Sequence, residues 1–189
     1  MFISTQGFKR MIKTANKNEC LKLAGAGEYI IIIGGWWMMY ILKSRIPKKE
    51  LAAIIELAGC LPEDGERFTV TPNGNQLEMD THWPTLPPRE LADEKLVITD
   101  LSIGRMRLLQ NPDTLEIVAA DTAITDVISN SHTDKQKGET DFKGPMTGKG
   151  MGVIWENNVM TLYAMQIDTA IYQNVIKHLE SIEIKRNNE

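Results

Sequence analysis

The stretch Glu28–Leu42, EYIIIIGGWWMMYIL, is the most apolar part of the chain. Tyr29–Ile33 is rich in β-branched residues, and Trp36–Leu42 is a second run typical of strands. Gly34 and Gly35 separate the two runs, and glycine readily adopts the positive φ angles of a tight hairpin turn. The stretch therefore predicts a β-hairpin, which we expect to be covered on both faces because both runs are apolar throughout.

Two other interpretations of this stretch remain open. Residues 23–42 are long enough for a membrane helix, which needs about 20 apolar residues. Glu28 and four glycines interrupt that span, and the mean hydropathy of −0.23 is typical of a soluble chain, so we expect no membrane contact. The second alternative is a strand followed by a buried helix, because short apolar runs cannot be assigned by periodicity alone.

The length and composition predict one domain over residues 1–189. A hydrophobic fraction of 42% is enough for a core. Cys20 and Cys60 form no disulfide framework and no zinc pattern, so we expect reduced thiols in a cytoplasmic protein, with no metal and no cofactor. No secretory signal is visible at the N-terminus.

The remaining elements are read from periodicity and turn residues. We expect a helix over residues 5–15, a short second turn from Asn18 through Leu23, and further helices over Ser44–Gly59, from Asp121 and from Asp168. Hairpins or meanders are expected over residues 66–80, with an Asn73–Gly74 turn, over 96–119 and over 152–167. The stripe of the last helix is Ile171, Val175, Leu179 and Ile182, widened by Tyr172 and Ile176. Strands that come as hairpins predict an α+β fold with a mainly antiparallel sheet and three or four helices.

The polar segment of residues 130–150 predicts a mobile loop, with Lys143 and Lys149 as its basic contact residues. Gly144–Gly150 does not match a phosphate-binding loop. The spacing of its glycines is wrong, and a strand rather than a helix is expected to follow.

Positive charge is concentrated in residues 1–49, which hold nine Lys/Arg against two Glu, whereas the whole chain has a net charge of −4. Such asymmetry can mark a surface for an acidic partner. The candidate nucleic-acid-binding residues are Lys9, Arg10, Lys13, Lys17, Lys48 and Lys49. Packing of this basic quarter beside acidic parts of the chain is the simpler interpretation.

We find no motif that predicts catalysis. Asp80 and His82 would share one face of a strand end, where they could hold a metal or form an acid–base pair, but one such pair supplies too few ligands. A solvated strand end is the simpler interpretation. No serine has the setting of a nucleophile elbow.

The candidate interaction residues are Trp36, Trp37, Met38, Met39 and Tyr40, since aromatic residues and methionine are enriched at interface centres. We expect a small non-catalytic binding protein, a homo-oligomer that contacts another macromolecule, with a protein as the partner. One alternative is a nucleic-acid-binding accessory protein that uses the basic N-terminal quarter. The other is a small-molecule-binding or enzymatic domain with residues 130–150 as its lid.

Overall fold

The computed structural model describes residues 1–78, 94–133, 138–148 and 152–184. These residues form four α-helices, a nine-stranded antiparallel sheet and a three-stranded sheet, so the predicted α+β class is confirmed. The first of two compact units comprises the described parts of Met1–Thr85, Val127–Phe142 and Glu156–Tyr163, and the second those of Leu86–Asp126, Lys143–Trp155 and Ala164–Glu189. The single domain over residues 1–189 stays a prediction.

The central hairpin is present in the first unit as β2 (Tyr29–Gly34) and β3 (Trp37–Leu42). Ile33 pairs with Met38, so the tip of the turn is Gly35–Trp36, one residue later than predicted. Gly35 supplies the positive φ angle, at 75°. Gly34 is needed within the strand instead, because the indole of Trp37 lies against it.

The strand β1 (Leu21–Ala26) pairs with β2 along its whole length, from Leu21 opposite Gly34 to Ala26 opposite Tyr29. The helical turn predicted through Leu23 was therefore wrong. Local sequence could not show this, because the strand is held by its partner and by the burial of residues such as Leu23.

The hairpin predicted over residues 66–80 consists of β4 (Arg67–Thr69) and β5 (Gln76–Leu77), and β4 also pairs with β1. Thr69 lies opposite Gln76, which leaves six residues in the connection rather than the predicted two-residue turn. Side-chain hydrogen bonds hold this longer connection: the Thr71 hydroxyl donates to the Gly74 carbonyl over 2.6 Å. Leu77 is exposed, so the predicted apolar face of the second strand was wrong there.

Two helices complete the first unit. The helix α1 (Thr5–Lys17) buries its predicted stripe of Phe8, Met11, Ile12 and Ala15. The helix α2 (Lys48–Ala58) begins after Pro47 and ends at Gly59, whose φ is 73°. It is shorter than predicted, because a separate 3-10 helix occupies Lys43–Arg45.

The strands of the second unit include β6 (Glu94–Lys95), β7 (Val97–Ile103), β8 (Met106–Gln110) and β9 (Ile117–Asp121). The last three form the predicted meander in the order β7-β8-β9. The strand β10 (Lys143–Thr147) pairs with β6, and β11 (Val153–Glu156) follows along the chain. The next strand, β12 (Met160–Ala164), belongs to the first unit up to Tyr163. The loop predicted over residues 130–150 thus contains a strand, stabilised by burial of Pro145 and Thr147.

Asp121 caps its helix as predicted, whereas the last helix has Tyr172 rather than Asp168 as its N-cap. Asp121 accepts a hydrogen bond from the backbone N–H of Ala123 at the start of α3 (Thr122–Thr125). Asp168 accepts one from Ala170, at the 3-10 helix that leads into α4 (Gln173–Leu179).

The predicted stripe of the last helix was wrong in part. Ile176 is buried, and Tyr172 and Leu179 pack beside it against the meander, whereas Ile171 is 84% exposed. Val175 and Ile182 are also exposed. The meander selects the face that is buried, and this choice was not visible in the helix sequence alone. Among the described segments, no helix has the length and apolarity that crossing a membrane requires.

A candidate anion-binding cleft

The first unit contains an open cleft of about 900 Å³, within the size range of ligand pockets. Its walls are formed by the starts of both helices, by the 3-10 helix before α2 and by His132, Glu139 and Val159. The ionisable side chains that line it are Arg45, Lys48, Lys49, Glu50, His132 and Glu139. The apolar residues Ile3, Ile46 and Val159 line it as well.

Two helices point their N-termini at this cleft. Thr5 at the start of α1 and Lys48 at the start of α2 both line it. Further along the same helices, Lys13 Nζ lies 3.4 Å from Glu56 Oε1. The helices therefore run side by side in the same direction. Their macrodipoles place partial positive charge at one location, where an anion is stabilised.

The two helix starts differ in how their free N–H groups are satisfied. The Ser4 hydroxyl caps α1 by accepting a 3.0 Å hydrogen bond from the Gly7 N–H. Pro47, at the N-cap of α2, makes no side-chain cap hydrogen bond. Lys48 and Lys49 then place positive charge in the first turn, where the macrodipole disfavours it, and the buried Glu50 carboxylate of the same turn offsets part of this charge. A bound anion would reduce the repulsion between these lysines and the helix dipole, and it would accept hydrogen bonds from the free N–H groups of the first turn.

The solvent-facing part of the cleft is more basic than the numbers of its acidic and basic residues suggest. Arg45, Lys48, Lys49 and His132 are exposed, whereas the Glu50 side chain is buried. The Glu139 carboxylate is buried too, and it pairs with the N-terminal ammonium group of Met1. Positive groups therefore face the solvent, which favours an anionic ligand.

The structure brings only part of the predicted basic set into the cleft. Lys48 and Lys49 line it, while Arg10, Lys13 and Lys17 are exposed along α1 and Lys9 is half-buried there.

Sequence reasoning missed two cleft residues, Arg45 and His132. The available signal for Arg45 was its position three residues before Lys48, across a proline that starts the helix. No comparable signal marked His132, which tertiary structure brings to the cleft.

The predicted interaction patch is largely internal. Trp37, Met38, Met39 and Tyr40 are buried, and Trp36, at the tip of the turn, is 67% exposed. Met38 and Tyr40 pack on one sheet face with Ala24 and Ile31, and burial raises the pKa of Tyr40 to about 12. The contact role of this patch stays a prediction, and Trp36 is its accessible member.

The remaining predicted residues are not among the described residues that line the cleft. Asp80, His82 and Lys149 lie outside the described residues, and Lys143 is exposed in β10. Within the ranges that the structure describes, no three His, Cys, Asp or Glu side chains are grouped so as to hold a metal ion.

Comparison with protein-family models, with curated proteins and with solved structures gives no match to this chain.

Proposed function

We propose that this chain is a non-catalytic binding protein that receives an acidic segment of a partner protein in the cleft of its first unit. The observation that carries the proposal is the meeting of two helix N-termini, one without a side-chain cap, with the exposed cations Arg45, Lys48 and Lys49. Carboxylates of the segment would contact these groups as charge-assisted hydrogen bonds, which are stronger than neutral ones.

A protein segment fits the walls of the cleft better than a nucleic acid does. Ile3, Ile46 and Val159 offer apolar contacts between the charged groups. Arg45, Lys48 and Lys49 are exposed beside them and offer contacts to carboxylates. A peptide that alternates acidic and apolar side chains satisfies both features.

The test is fluorescence anisotropy with a labelled peptide of alternating glutamate and leucine. We expect Lys48→Gln combined with Lys49→Gln to weaken binding about tenfold, because two solvent-exposed charge contacts are lost and each contributes about 0.7 kcal/mol. The matched control is Arg10→Gln combined with Lys17→Gln, which removes the same charge from exposed positions on α1. Equal losses in both double variants would show general charge attraction and refute the cleft.

Nucleic-acid binding is the second candidate, favoured by the exposure of Arg10, Lys13 and Lys17 along α1. Contacts to phosphates make the affinity fall steeply as salt rises. Titration of a single-stranded oligonucleotide at increasing salt tests this, and the Arg10→Gln, Lys17→Gln variant should then lose more affinity than the cleft variant. Absence of binding at low salt would refute it.

We further propose that the protein is a homo-oligomer in the cytoplasm. Exposed apolar side chains of the second unit, Ile171, Val175 and Met165, support association. Both cysteines are free, as in a reducing compartment. Native mass spectrometry should give a multiple of 21.3 kDa, and a monomer at micromolar concentration would contradict the proposal.

The lid alternative stays a prediction. His132 and Glu139 belong to the segment of residues 130–150, and both line the cleft. If this segment closes over a small molecule, ligand should protect it from proteolysis.

A further inference from the structure

The second unit contains a separate cavity of about 250 Å³, smaller than a pocket for a drug-sized ligand. Its apolar wall is formed by Leu96 and by Ile117 and Val118 of β9. The polar residues that line it are Glu94, Asn111, Glu116, Thr147 and Gln166. This cavity takes no part in the proposed function, which concerns the first unit.

Asn111 is a buried residue in the wall of this cavity. Its side-chain oxygen accepts hydrogen bonds from the backbone N–H groups of Asp113 and Thr114, over 2.9 and 3.1 Å. The amide orientation is therefore fixed, and the NH₂ group is left as the donor. That nitrogen lies 3.5 Å from Glu94 Oε2, beyond the usual 2.7–3.2 Å of an N–H···O bond.

This long contact leaves a buried donor poorly satisfied. Asn111 is only 5% exposed, so water compensates it little. A buried amide without a good partner costs free energy. A ligand oxygen placed between Asn111 and the cavity centre would accept a hydrogen bond from this NH₂ group.

The carboxylates that line the cavity favour a positively charged ligand. Glu94 lies directly opposite Thr147 in the β6–β10 pair. Glu116 adds a second carboxylate, and no lysine or arginine is among the described residues that line the cavity. A ligand with N–H donors and a positive charge complements these two carboxylates.

Thr147 and Gln166 form a fixed polar wall. The Gln166 Nε2 group donates to the Thr147 hydroxyl over 3.1 Å, and that hydroxyl donates to the Gly152 carbonyl over 3.2 Å. Thr147 is 5% exposed. This wall is organised before any ligand arrives, which lowers the entropic cost of binding.

We propose that this cavity binds a compact organic cation that also carries a hydroxyl group, of the amino-alcohol class. The ammonium group contacts Glu94 and Glu116. The hydroxyl oxygen accepts from the Asn111 amide, and the methylene groups lie against Ile117 and Val118.

Three probes of nearly equal size separate the parts of this proposal. Ethanolamine carries both groups, ethylamine carries only the charge, and ethylene glycol carries only hydroxyls. The readout is the NMR signal of the Asn111 side-chain amide during titration at pH 7, where the amines are protonated. We expect saturable shifts, with ethanolamine binding more tightly than either other probe.

Variants at two glutamates test the role of charge. Glu94→Gln keeps the shape of the side chain and should weaken ethanolamine binding about 10- to 100-fold, as expected for one lost charged contact. The matched control Glu183→Gln removes the same charge from an exposed position of the same unit and should change nothing.

Several results would overturn the proposal. Equal binding of ethylene glycol and ethanolamine would show that charge is not recognised, and equal binding of ethylamine would remove the hydroxyl contact. An Asn111 signal that does not saturate would refute the site. These comparisons use the unmodified protein, so they remain decisive if Glu94→Gln fails to fold.

Discussion

The indole of Trp37 occupies the space that a side chain on Gly34 would need. A Cβ atom on Gly34 would lie 2.2 Å from a ring carbon of Trp37, closer than any real contact allows. Gly34 ends the strand β2, opposite Leu21. The glycine is therefore required for close packing inside the sheet, whereas Gly35 provides the turn.

This contact predicts the effect of Gly34→Ala. The added methyl group must displace the indole, and overpacking of this kind costs about 1–3 kcal/mol of unfolding free energy. Urea denaturation measures the loss. In a Trp37→Phe background the penalty should shrink, because the smaller ring leaves room for the methyl group. An equal penalty in both backgrounds would contradict the contact.

The basic start of α2 predicts opposite effects on stability and binding. Lys49→Glu replaces an unfavourable charge near the helix N-terminus with a favourable one, so the unfolding free energy should rise by about 0.5 kcal/mol. Binding of the acidic peptide should weaken in the same variant. The two readouts are urea denaturation and fluorescence anisotropy.

Lys17→Glu is the matched control for that variant. Lys17 lies in the last turn of α1, where the macrodipole favours positive charge, so the same replacement should lower stability. If Lys49→Glu also destabilised the protein, the assignment of charge repulsion at α2 would be wrong.

The face that α4 buries can be checked with two isoleucines. Ile176 packs in a core cluster with Met106 and Leu108, and Ile176→Ala should cost about 2–5 kcal/mol. Ile171→Ala removes an exposed side chain and should change the unfolding free energy by less than about 0.5 kcal/mol. The reverse order in thermal or urea denaturation would restore the predicted stripe.

Burial of Tyr40 predicts a loss of stability at high pH. Its pKa of about 12 in the folded protein lies above the ordinary tyrosine value of 10.0 because the side chain is buried, so the fold favours the neutral phenol. This contribution is complete below pH 10 and is lost as pH rises through the folded pKa, by about 2 kcal/mol at pH 12.

Comparison with a variant isolates this contribution from other groups that titrate in the same range. Tyr40→Phe keeps the ring and cannot ionise, so its unfolding free energy should decline less between pH 9 and pH 12. Parallel declines in urea denaturation would show that Tyr40 does not carry the effect.

Sequence patterns sufficed where one segment carries the whole signal. The apolar spacing of α1, the cap Asp121 and the stop at Gly59 depend on residues within a few positions of each other. The central hairpin and the meander followed from apolar runs and turn residues in the same way.

The predictions were wrong where a distant segment decides. Leu21–Ala26 is a strand because β2 pairs with it, and Lys143–Thr147 is one because β6 and burial favour it. In α4 and the 3-10 helix before it, apolar residues lie on more than one side, and only contact with the meander selects Ile176 over Ile171. Periodicity gives the spacing of a face but not the partner that covers it.

The sequence by itself determined the α+β class, most of the helices and the basic character of the first 49 residues, because these depend on local propensity and composition. Tertiary structure alone decided which charges meet. It aligned the starts of α1 and α2 at the cleft with Arg45, and it placed Asn111 beside Glu94 and Thr147 in the second cavity. The physical reason is that a binding site needs groups within a few ångströms of each other, and sequence separation does not fix that distance.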